Sequence, residues 1–170
     1  MKTRTLIPVE EYLSTVYRPD CDYVEGEVLE RNLGERDHSY IQVALAAYFF
    51  ARRKALNIEV FTEQRVQVLP NRFRIPDLCV VLGGTKEKIF TIPPFLCVEI
   101  LSPEDRMVRM LPKIQEYLSI GVEWIWIVDP YEQSALLYSR QNPAGAVCDL
   151  LRTENPSIEI PLTAAFNLDD

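Results

Sequence analysis

Hydrophobic and polar positions change period several times along the chain, and each change marks an element. From Pro8 a short helical pattern carries Glu10 and Glu11 in its first turn and should end near Arg18 and Pro19. Residues 22–31 alternate, and predict two short strands or a hairpin around Gly26. Over 35–56 the apolar positions Ile41, Ala44, Leu45, Tyr48 and Phe49 recur at three- and four-residue steps. Arg52, Arg53 and Lys54 suit the negative end of that helix, and Asn57 suits its stop.

Three strand-like runs follow: 58–69, closed by Pro70 and Asn71; 74–82, closed by Gly83 and Gly84; and 95–101, closed by Ser102 and Pro103. A second helical pattern ends at Ile120, before Gly121. Pro112 removes a backbone donor there, so the helix either kinks at that residue or begins at it. Trp124–Asp129 is almost continuously apolar, as in a strand covered on both faces. Short late strands are predicted at Ser134–Ser139, 146–152 and 158–160.

The helix between 95–101 and 123–129 makes a βαβ crossover, hence a parallel pair. The upstream strands are joined more tightly and suit antiparallel pairing. The expected fold class is α/β of the mixed α+β kind, a mixed β-sheet flanked by helices on both faces. With 170 residues, 48% of them hydrophobic, the chain supports one substantial core, so a single domain over 1–170 is expected.

The basic N-terminus is followed by no signal-like apolar stretch, and no apolar run approaches the roughly 20 residues of a spanning helix. No membrane association is expected. Cys21, Cys79, Cys97 and Cys148 are scattered and read as apolar residues of a reduced, cytoplasmic protein. The net charge of −7 argues against a protein that coats nucleic acid unspecifically. Residues 72–113 nevertheless hold seven Lys/Arg against five acids, while the remainder holds 11 against 20.

That basic segment contains the candidate chemistry. Asp77 opens one apolar run and Glu99 nearly closes the next. A carboxylate inside a buried strand is costly unless it is paired, hydrogen-bonded or bound to a cation. Two such acids on neighbouring strands suit a hard divalent ion, Mg²⁺ or Mn²⁺, and phosphodiester hydrolysis. The alternative is that Asp77 caps a turn after Pro76 and Glu99 pairs with an arginine such as Arg74. Lys113 either orients the attacking water or stabilises the pentavalent phosphorus, or it is a solvated helix residue. If Pro112 begins the helix, the dipole at its start would lower the pKa of Lys113. His38 is the only histidine, which excludes a histidine-rich zinc site, and it is expected to face solvent. Glu25, Glu27 and Glu63 are second-tier candidates for an extra ligand or water relay. Arg72, Arg74, Arg106 and Arg109 are candidates for phosphate contacts. No phosphate-binding glycine loop, dinucleotide fingerprint or nucleophile elbow is present.

Pro76 and Asp77, the run from Val98 to Pro103, Lys113, Tyr117, Gly121, Val122 and the run from Trp126 to Pro130 together resemble the putative restriction endonuclease family of the PD-(D/E)XK nuclease superfamily. Glu11, Tyr12, Leu13, residues 23–27 and His38 also sit where that family has similar residues. The resemblance implies a restriction-endonuclease-like core with Asp77 and Glu99 as magnesium ligands at neighbouring strand ends, acting on a nucleic-acid phosphodiester. The superfamily signature has lysine two residues after the second acid, where this chain has Leu101. The resemblance therefore moves that role to Lys113. Arg109, where relatives often carry aspartate, and Pro112 are further departures.

The expectation is an Mg²⁺- or Mn²⁺-dependent endonuclease acting on DNA. The competing reading is a nuclease fold without chemistry, serving nucleic-acid binding or protein association, and a third is hydrolysis of a small phosphoester. Trp124, Trp126 and the late strands are expected to offer apolar surface for a homodimer.

Overall fold

The computed structural model describes residues 6–31, 35–103 and 107–166. Its first elements are helix α1 (Val9–Ser14) and strands β1 (Cys21–Val24) and β2 (Glu27–Glu30). The predicted hairpin forms: β1 and β2 pair antiparallel across Glu25 and Gly26. Both turn residues have positive φ, 52° and 95°, the demand of a tight hairpin turn that glycine meets without strain. Helix α2 (Arg36–Leu56) ends with Asn57 in the left-handed conformation, as its sequence suggested.

The first of the next two predicted runs, 58–69, breaks in the middle, and in the second, 74–82, the strand of the large sheet forms only from Leu78. The run 58–69 becomes β3 (Ile58–Thr62) and β4 (Val66–Leu69), and the chain ahead of 82 becomes β5 (Arg72–Arg74) and β6 (Leu78–Leu82). The first arm bends at Glu63, whose φ is 53°. The second bends at Ile75, Pro76 and Asp77, where proline has no N–H for a ladder. Each arm thus crosses from one sheet to another. A small sheet has the order β2-β1-β5-β4.

The large sheet continues with β7 (Leu96–Ile100), β8 (Trp124–Asp129), β9 (Ser134–Ser139) and β10 (Ala146–Val147), in the order β10-β9-β8-β7-β6-β3. The β7–β8 pair is parallel and the others are antiparallel, so the sheet is mixed. Helix α3 (Met107–Ile120) makes the crossover. Pro112 lies inside α3 and does not begin it, so Lys113 sits mid-helix and the helix-start argument for its pKa fails. Strands β11 (Leu150–Thr153) and β12 (Ile158–Pro161) form a separate hairpin ahead of α4 (Leu162–Phe166), which splits the predicted strand over 146–152.

Strand alternation assigns each face of the large sheet its partner. Leu78, Val80, Leu96, Val98 and Trp126 pack against Ile41, Leu45 and Phe49 of α2, with β11, β12 and α4 closing that layer. Cys79, Cys97, Ile125 and Ile127 face Met110, Ile114 and Tyr117 of α3. The latter three recur at helical spacing and form the apolar stripe of α3. Trp124 and Trp126 are buried on the α2 side of the sheet and supply no apolar surface for a dimer, whereas Val147 of the late strands is exposed. Among the described residues no helix is long and apolar enough to cross a membrane.

Candidate active site

Asp77 immediately precedes Leu78, and Glu99 immediately follows Val98, in a register that sets Leu78 opposite Val98. The two acids therefore stand side by side at the junction of the sheets, and by strand parity both belong to the face covered by α3. Both are buried. They border a cleft of about 520 Å³, together with Asp22, Glu30 and Arg31 from the β1–β2 hairpin and with Arg109 and Lys113 of α3.

The Asp77 carboxylate is fixed from three directions. Its Oδ2 accepts the backbone N–H of Ile100 at 2.7 Å and lies 3.3 Å from His38 Nε2. Its Oδ1 pairs with the Arg31 guanidinium. The Asp77 carbonyl accepts Gln42 Nε2 at 2.9 Å, which ties the bend to α2. Burial opposes the charge on Asp77, but the His38 contact, Arg31 and the Ile100 N–H outweigh it and hold its pKa below the usual carboxylate value.

Glu99 is less well compensated. Its Oε2 lies 3.1 Å from Lys113 Nζ, and its Oε1 accepts the Tyr117 hydroxyl at 2.8 Å. Lys113 and Tyr117 are four residues apart and so share one helix face. Burial dominates at Glu99; Lys113 counteracts it, Asp77 adds repulsion, and the net shift is upward. Lys113 itself is held protonated: burial works against its charge, but Asp22 and Glu99 prevail and raise its pKa. The dipole-lowered lysine expected from a helix starting at Pro112 is thereby corrected to a fixed cation.

Asp22 anchors the opposite wall. It accepts Arg74 Nη1 at 3.0 Å and the Ile75 N–H at 3.1 Å, and lies 3.6 Å from Lys113 Nζ. Arg74 and Arg72 converge on Glu116 of α3, with Arg74 Nε at 2.6 Å and Arg72 Nη1 at 2.7 Å, and Arg72 also pairs with Glu25 at 2.5 Å. These two arginines are thus engaged with carboxylates, and Arg74 does not pair with Glu99. Arg109 borders the cleft. Arg106 lies outside the described residues.

His38 was expected in solvent; its side chain is only 11% exposed and turns toward Asp77, because α2 starts beside the bend that carries that acid. Glu63 lies 4.0 Å from Arg31 Nη1 and is half exposed. Glu27 lies on β2 opposite Val24 and does not border the cleft. Sequence reasoning missed Asp22, Arg31 and Glu116 as site residues. Tyr117 was findable from its four-residue step after Lys113. Arg31 was not, since its partner is 46 residues away.

The donor set fits Mg²⁺ or Mn²⁺. Such ions take hard oxygen ligands and commonly use only one or two protein carboxylates. Each carboxylate has about four lone-pair sites, so both acids retain room for a cation beside their present partners. The upward shift at Glu99 marks a place where more positive charge is favourable. Among the described residues no group of three or more His, Cys, Asp or Glu side chains forms a self-sufficient cage, so water and substrate oxygens would have to complete the shell.

No curated protein matches this chain. The fold is similar to the crystal structure of a putative nuclease belonging to DUF820 from Anabaena variabilis. That protein is 24% identical, with a TM-score of 0.83 over 94% of this chain and 97% of the other. The likeness establishes a restriction-endonuclease-like fold. A family model, Uma2, described as "Putative restriction endonuclease", matches residues 9–169, and the chain belongs to that family.

Proposed function

We propose that this protein is a divalent-metal-dependent nuclease that hydrolyses phosphodiester bonds in DNA. The observation that carries the reading is the pair of buried acids, Asp77 and Glu99, abreast on neighbouring strands and open to one cleft with Lys113 on Glu99. The family membership and the nuclease-like neighbour support it.

Asp77 and Glu99 would hold Mg²⁺ or Mn²⁺, which supplies positive charge against the phosphate and acidifies water at the site. The Ile100 N–H and His38 orient the Asp77 carboxylate; Tyr117 orients that of Glu99. Lys113 is an ammonium at neutral pH and so serves as a donor and a charge, not as a proton acceptor. One of its three hydrogens goes to Glu99, and the others are available to a phosphate oxygen or the attacking water. Arg109, on the preceding turn of α3, extends the positive rim of the cleft.

A second reading is favoured by one observation: Arg31 and Lys113 already neutralise the two acids internally. A fold of this kind can bind nucleic acid or a protein without cutting. Incubation of supercoiled DNA with the purified protein and Mg²⁺ or Mn²⁺ separates the two. We expect nicking that chelation stops and that Asp77→Asn or Glu99→Gln each lowers by about 100-fold or more, the scale of losing a preorganised charge-stabilising group. Nicking unaffected by both substitutions would refute the site. DNA binding without cleavage would establish the second reading.

A further inference from the structure

Behind the Asp77–Arg31 pair lies a second cavity of about 470 Å³, bordered by Tyr17, His38, Gln42 and Glu63. Arg31 is the one described residue that borders both cavities. Its guanidinium lies between two carboxylates of different character. On the cleft side it pairs with Asp77, whose side chain is 5% exposed; on the far side Nη1 lies 4.0 Å from Glu63, which is 49% exposed. One partner is buried and strongly held, and the other is wet and loosely held.

Charge decides what a metal ion would do to this arrangement. Among the described residues four carboxylates and four basic side chains border the first cleft, so its lining is formally neutral. A divalent cation at Asp77 would stand next to the Arg31 guanidinium in a partly desolvated space, where like charges repel far more than in water. With Arg31 withdrawn the lining is formally −1; the cation makes it +1, and the single negative charge of a phosphodiester restores neutrality. Withdrawal does not strand the guanidinium, since Glu63 and open space lie on its other side.

We propose that Arg31 is a displaceable counterion, which neutralises Asp77 until a divalent cation binds and then turns into the second cavity to pair with Glu63. This inference rests on the metal-dependent reading above. Arg31 and the ion compete for one carboxylate, so removing the guanidinium strengthens metal binding. Glu63 receives the displaced guanidinium, so neutralising it weakens metal binding. A side chain that merely supported the fold would not give opposite signs at these two positions.

The test is a titration of Mn²⁺ into the full chain without nucleic acid, with free Mn²⁺ followed by electron paramagnetic resonance and folding checked by circular dichroism. Arg31→Ala is expected to lower the Kd about tenfold, and Glu63→Gln to raise it about threefold, the scale of a buried and an exposed pair. In the Arg31→Ala background Glu63→Gln should have no further effect, because the guanidinium it serves is gone. A Kd for Arg31→Ala equal to or weaker than that of the unaltered chain overturns the counterion role and leaves the metal reading standing. If Arg31→Ala does not fold, the exposed Glu63→Gln decides alone, and an unchanged Kd overturns the proposal. No Mn²⁺ binding by either the unaltered chain or Arg31→Ala at millimolar concentration removes the metal reading and this inference with it.

Discussion

The two faces of the six-stranded sheet are built from the same strands by alternation, yet they meet different demands. Toward α2 the strands present Leu78, Val80, Leu96, Val98 and Trp126, a layer with no charged member. Toward α3 the apolar set of Cys79, Cys97, Ile125 and Ile127 gives way at the strand ends to Asp77 and Glu99, met by Lys113 and Tyr117 from the helix. Packing apolar groups stabilises the first face without further conditions. On the second, each buried charge loses hydration and must recover it from a partner. Such an arrangement is a weak way to stabilise a fold and a good way to hold reactive groups in place.

The comparison breaks most visibly at Trp126, which is fully buried beside Phe49. Trp126→Ala should cost about 3–5 kcal/mol in urea unfolding, yet leave nicking per folded molecule unchanged. A loss of activity beyond the unfolded fraction would show that the two faces are not independent.

On the polar face the two acids should differ in how strongly they affect stability, while the loss of either lowers nicking. The pKa of Asp77 is lowered in the fold, so its ionised form stabilises the protein above the unfolded value of about 4, and this is lost as pH falls through the folded value. Asp77→Asn should therefore destabilise at pH 7. The pKa of Glu99 is raised, so its charge gains less from the fold than that of Asp77, but Glu99→Gln takes a carboxylate from the buried Lys113 ammonium; it should destabilise at pH 7, by less than Asp77→Asn. A larger fall in the unfolding midpoint for Glu99→Gln than for Asp77→Asn would contradict this assignment of charges.

Cys79 tests the apolar part of the same face. It stands opposite Cys97, and burial pushes its thiol up to about 12 from an ordinary 9.0. The folded state keeps a proton that the unfolded state releases. The associated stability is complete below pH 9 and is lost as pH rises toward the folded value. Between pH 9 and 10.5, Cys79→Ala should flatten the fall in unfolding free energy by about 1.4 kcal/mol per pH unit at most. Parallel curves for the two proteins would show that this thiol is not shielded.

The smallest effect belongs outside both faces. Arg52 lies 3.7 Å over the Tyr48 ring on the exposed side of α2. Arg52→Ala should cost about 0.5–1 kcal/mol by thermal or urea unfolding and leave nicking untouched. A larger loss would mean that the outer surface of α2 contributes more than its contacts suggest.

Much of this was legible in the order of residues. Hydrophobic period placed α2, β7, β8 and the parallel crossover, because burial on one face or two leaves a repeat that survives in any context. Asp77 and Glu99 stood out as charges in apolar runs. Short-range chemistry was readable too: the Glu25–Gly26 turn and the Asn57 stop depend only on local backbone freedom. The breaks at Glu63 and at Pro76 were not recovered, since alternation continues through a strand that changes sheets.

What tertiary structure alone decided is which charges meet. Arg31 reaches Asp77, Asp22 reaches Arg74, and Glu116 gathers Arg72 and Arg74 across separations of 42 to 52 residues. The turn of His38 toward Asp77 and the burial of both tryptophans likewise follow from how layers stack. Periodicity records which side of an element is covered, because that cost acts on each residue separately. Pairing depends on distances between elements, and those are fixed only when the sheets and helices close on one another.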